Sequence, residues 1–144
     1  MIKISRREIH HVRAVLRRAG LARPAAGGPP TVLITASADG IRVCASSSDL
    51  VAEYHIDRPS KPEQLAVPLA MFDACHGKKS DLVAFTTTSR GELEVEWTDR
   101  GIPQLLVDAI GSEPVESAVV VPVPGEVCAN PVSLWQALVD ATAA

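Results

Sequence analysis

Residues 67–77, VPLAMFDACHG, bring Asp73, Cys75 and His76 within four positions of one another. These residue types could form a thiol nucleophile with its base, half of a metal site, or a cationic helix end. A Cys–His couple needs hydrogen-bond reach between its two side chains. Consecutive residues on a helix point about 100° apart, so Cys75 and His76 diverge if this stretch is helical. Asp73 and His76 are three apart and can touch, as surface pairs on helices do. A helix C-terminus favours a protonated His and does little to make a thiolate. For a metal, His10, His11 and His55 are isolated from the cluster, and Cys44, Cys75 and Cys128 show no ligand spacing. The favoured reading is a short helix with Met71, Phe72 and Cys75 toward the core, stopped by Gly77. No metal and no cofactor is expected.

The remaining candidates divide into carboxylates and cations. Glu92, Glu94 and Glu96 alternate with Leu93, Val95 and Trp97. Period two puts the three acids on one sheet face, where solubility and edge protection are commoner roles than acid–base work. SSSD at 46–49 has no base beside it and reads as a turn or strand end. Phosphate-binding glycine loops, HExxH and GxSxG are absent. The cations are more telling. Residues 1–23 hold Lys3, Arg6, Arg7, Arg13, Arg17, Arg18 and Arg23, seven of the 14 Lys and Arg, against one of the 17 acids, Glu8. A basic end on an acidic body points to a local anionic partner.

Secondary structure places these groups. Ser5 with Glu8 is a capping box that opens a helix. Ile9, Val12, Val15, Leu16 and Ala19 form its apolar stripe. Arg6, His10, Arg13 and Arg17 fall opposite, flanked by Arg7 and Arg18, and Gly20 stops it. Residues 22–30 are a loop. The runs around Asp39-Gly40 form a hairpin, 50–57 is a third strand, 58–63 a turn, and QLAVP a short strand leading into LAMFDACH. The HGKK turn that follows, with His76, Lys78 and Lys79, can present a second basic surface beside the first helix. DLVAFTTT and ELEVEWT form a second hairpin, PQLLVDA another strand, and SAVVVPVP an edge strand. Ser133 with Gln136 caps a final helix. Without βαβ alternation the fold class is α+β with mostly antiparallel sheet.

The bulk properties exclude several classes. No apolar run approaches the roughly 20 residues that span a bilayer, and the charged start is unlike a signal peptide. A cytoplasmic protein with reduced thiols and no membrane partner is expected. Two Phe, two Trp and one Tyr are too few for single-strand binding by base stacking. Basic, aromatic-poor helices suit phosphate contact without base reading.

The chain resembles the first domain of the bacterial sliding clamp, the beta subunit of DNA polymerase III. MIKISRREIHHVRAVLRRAG resembles the clamp's opening strand and channel-facing helix. ADGIRVCASSSDLVAEYHI is similar to its hairpin and Thr-Asp-Leu-Glu stretch. VPLAMFDACHG matches the family's Val-Pro, Phe, Asp, Cys, basic residue, Gly. NPVSLWQALVDATAA resembles the linker and first helix of the second domain. The resemblance implies a clamp-like domain at residues 1–126, with two helices on the channel side, and a truncated second domain at 127–144.

It further implies a processivity factor that encircles duplex DNA in replication, without enzymatic activity. Arg13, Arg17 and Arg18 occupy the matching helix, Arg23 matches a family arginine after it, and His76 stands where the family usually has arginine. With Arg6, Lys78 and Lys79 they make the expected DNA-contact set. Partners implied are double-stranded DNA, self-association into a ring if the full-length chain is longer, and the replicative polymerase and clamp loader through later domains absent here. Departures are His76 for arginine, SSDLV without the family's Glu, and PAAGGPP for a more constrained loop. Two rivals stand beside this reading: a stand-alone clamp-fold protein-interaction module that does not encircle DNA, and an enzyme using Cys75 or the Glu92–Glu96 face.

Overall fold

The computed structural model describes residues 1–22, 30–47 and 50–109. Arg23, the proposed strand at 117–124, the domain boundary at 126/127, Cys128 and the helix expected from Ser133 lie outside the described residues. Among the described residues, two helices and eight strands run in the order β1 (Ile2–Ser5), α1 (Arg6–Arg18), β2 (Thr31–Ser37), β3 (Gly40–Ser46), β4 (Val51–Ile56), β5 (Glu63–Pro68), α2 (Leu69–Cys75), β6 (Leu82–Thr87), β7 (Glu92–Asp99) and β8 (Ile102–Ala109). The fold is α+β with two antiparallel four-stranded sheets, ordered β1-β6-β7-β8 and β4-β3-β2-β5. Among the described residues, no helix is long and apolar enough to cross a membrane.

Alternation builds the core. Ile2 and Ile4, Val32 and Ile34, Ile41 and Val43, Leu65 and Val67, Val83 and Phe85, and Leu93 and Val95 all point inward. They join Ile9, Val12 and Leu16 of α1 and Met71, Phe72 and Cys75 of α2 in one cluster shared by both sheets and both helices. Phe72 and Phe85 meet at 5.7 Å, tilted by 52°, an aromatic geometry favoured over face-to-face stacking.

The expected capping box is present at the start of α1. Glu8 N–H donates to Ser5 Oγ at 3.2 Å, and Ser5 N–H donates to Glu8 Oε2 at 2.7 Å. Arg58 extends it, donating to both Glu8 oxygens at 3.3 Å and to the Lys3 carbonyl at 2.9 Å. Burial alone would raise the Glu8 carboxyl, but the bonds from Ser5 and the Arg58 guanidinium hold it below its ordinary value. The first hairpin turns on Ala38 and Asp39, since Ser37 pairs with Gly40. Gly40 has φ 135°, and a Cβ there would lie 2.5 Å from the Ile56 carbonyl oxygen, so neighbouring β4 demands the glycine.

Three expectations are corrected. Arg6 is buried rather than on an outer basic face, because its guanidinium finds four acceptors inside. Val15 is 41% exposed; the buried apolar residues of α1 are Ile9, Val12 and Leu16. At 100° per residue this turns the outward face by roughly 30° from the one the wider stripe implies. Finally, His76 is not helical: it caps α2 with extended backbone, ψ 158°.

Candidate functional site

The helices α1 and α2 lie side by side, and their seam holds Arg13, Arg17, Asp73 and His76. Arg13 donates from Nε to Asp73 Oδ1, and Arg17 Nη2 stands 3.9 Å from the same oxygen. The Arg13 side chain is only 13% exposed, while that of Arg17 is 59% exposed. Arg13 is therefore mainly a tie between helices, and Arg17 remains accessible to a ligand. Arg7, His11 and Arg18 are exposed on the outward side of α1, and Lys78 and Lys79 are exposed beyond α2.

His76 closes the end of this seam. Its ring stacks on His10, with centroids 5.7 Å apart and planes 15° apart, and His10 lies 6.2 Å from His11. His76 Nδ1 is buried without a hydrogen-bond partner. Burial, then the charges of Arg13 and His10, lower its proton affinity, against the opposing pull of Asp73. At neutral pH His76 is thus an uncharged ring that packs between the helices.

The cysteine reading fails on chemistry. Cys75 is fully buried, and burial pushes its thiol up to about 12, so it offers no thiolate nucleophile at neutral pH. Cys44 is raised as well, by burial and by Glu53. Among the described residues no group of three or more His, Cys, Asp or Glu could hold a metal ion. The carboxylates of β7 share one face as their spacing demands, with Leu93 and Val95 buried beneath and Glu96 exposed. Of the three, Glu96 alone lines a groove of about 410 Å³, together with residues including Lys3, Leu82 and Leu105.

Of the expected contact set, Arg17, Arg18, Lys78 and Lys79 are exposed, Arg13 and His76 are half-buried in the seam, and Arg6 is buried. Arg23 lies outside the described residues. Arg7 and His11 also face outward, although the expected set left them out. Leaving Val15 out of the apolar stripe is the signal that finds them. No known protein family matches the chain, and no curated protein does.

Proposed function

We propose that this chain carries a sliding-clamp-like domain, a sequence-independent duplex-DNA binding element of a processivity factor. The supporting observation is the exposed cation set Arg7, Arg17 and Arg18 on one helix, with Lys78 and Lys79 past the end of the helix beside it. Such a surface, poor in aromatics, suits phosphate contact that tolerates sliding. Replication, ring closure around DNA, and a polymerase and clamp loader as partners belong to the same proposal and rest on the resemblance. Charge reversal at Arg17 and Arg18 tests it by titration with duplex DNA. The double variant should lose detectable binding while keeping its melting temperature, since neither side chain is buried. Unchanged binding refutes the proposal.

A second reading, a clamp-fold protein-interaction module, is favoured by one observation. The Arg6 guanidinium is bonded within the fold, Arg13 is tied through Nε to Asp73, and His76 is held neutral. A chain that binds no duplex DNA yet is intact leaves this second reading in place.

A further inference from the structure

Arg6 holds more of the molecule together than any other polar residue described here. Its main-chain N–H donates to the Asp81 carbonyl at 2.9 Å, and its carbonyl accepts from Gly77 N–H at 3.1 Å. Both ends of the 76–81 loop therefore close on this one residue. Its guanidinium then works in two directions. Nε donates to the Cys75 carbonyl at 3.1 Å and Nη2 to the His76 carbonyl at 3.2 Å, satisfying the C-terminal end of α2. Nη1 donates to the Thr98 carbonyl at 3.1 Å and to Asp99 Oδ1 at 2.8 Å, where β7 enters its turn. Gly77 is explained by the same group: a Cβ there would lie 2.8 Å from Arg6 Nε. The glycine makes room for the guanidinium instead of supplying a left-handed helix stop.

The β7–β8 turn carries an anomaly. Asp99 pairs with Ile102, so Arg100 and Gly101 are its two central residues, with φ 51° and 85°. Two-residue turns with both φ positive favour Asn-Gly or Gly-Gly. Arg100 is the one described residue other than glycine with positive φ, and it is exposed. Strained positions that persist on a surface are candidates for function. Asp99 is held below its ordinary value first by the Arg6 hydrogen bond, with the Arg6, Arg100 and Lys79 charges adding to it. Arg6 bonds this carboxylate, and Arg100 and Lys79 lie near enough for their charges to act on it.

We propose that Arg6 is a positioning residue: it gathers the 76–81 loop and the 99–102 turn so that Lys78, Lys79 and Arg100 form a second cationic edge for the phosphate backbone of duplex DNA. This rests on the DNA-binding reading above and adds Arg100 to it. The first test is Arg100→Gly in the 144-residue chain, read by duplex-DNA titration over a salt series and by melting temperature. Glycine suits the turn, so the melting temperature should not fall, while affinity drops several-fold and the salt slope falls by about 1. Arg6→Lys keeps the charge but not the fork. In that background, removing the Lys78 and Lys79 charges should weaken binding far less than it does in the parent chain. If Arg100→Gly binds as the parent does while Arg17→Glu loses affinity, the second edge is refuted and the functional reading stands. A parent chain that binds no duplex DNA overturns both.

Discussion

Cys75 and His76 are neighbours with opposite fates, and burial decides both. The thiol lies in the core and stays protonated; the imidazole lies in the helix seam with Nδ1 unpartnered and stays neutral. The second fact makes a prediction about acid. The folded state lowers the His76 pKa below its ordinary 6.5, so below that pH the unfolded chain binds the proton more readily. Stability contributed by the neutral ring is present above pH 6.5 and is lost as pH falls toward the folded value. Protonation also sets the ring against Arg13 and the stacked His10, with Asp73 as the only described acid opposing this. Melting temperature should therefore drop between pH 7 and pH 5.5, above the range where Glu8 and Asp99 protonate. His76→Phe, which keeps a stacking ring, should flatten that drop. A variant that melts with the parent's pH profile would assign the loss to other groups.

The helix α1 shows what can be read from spacing at the level of elements, and where such reading stops. Ser5 and Glu8 announced its start, and their reciprocal bonds are present. Replacing Ser5 with Ala should cost about 0.5–2 kcal/mol, seen as a lower urea midpoint with an unchanged m-value. Removing Glu8 as well should add less than its separate effect, because the two share one network. The strands β2 to β8 were legible because apolar and polar residues alternate along them, as in LEVEW. The strand β1 is only four residues long; periodicity left residues 1–4 unassigned, and the resemblance alone implied an opening strand. Pairing of β1 with β6 and of β5 with β2 depends on tertiary packing that local pattern does not encode. The same limit hid Arg6. A basic residue in the first turn of an amphipathic helix reads as a surface cation until the carbonyls of Cys75, His76 and Thr98, distant in the chain, are brought to it. Val15 misled for a related reason: an apolar side chain at the edge of a stripe is not bound to be covered.

At the scale of the whole molecule the electrostatics are lopsided. Net charge is −3, yet α1 and the loop after α2 present Arg7, Arg17, Arg18, Lys78 and Lys79 to solvent. A uniformly acidic protein repels DNA at every approach, whereas a charge-divided one is oriented by it. Binding by this surface should be weak for a single domain, with Kd at or above about 10⁻⁴–10⁻⁶ M at physiological salt. It should also be indifferent to base sequence, since phosphate contacts carry no sequence information. Each phosphate neutralised contributes about −0.9 to the slope of log K against log salt. Arg7→Gln should therefore make the slope shallower by about 1 and lower affinity equally for duplexes of different sequence. Arg13→Gln should act differently, because the Arg13 guanidinium is engaged with Asp73. Its loss should appear in the melting temperature more than in the salt slope. Titrations of two unrelated duplexes at several salt concentrations separate these outcomes. A flat salt dependence would mean that the exposed cations do not touch phosphate, and the surface would then be one that meets protein.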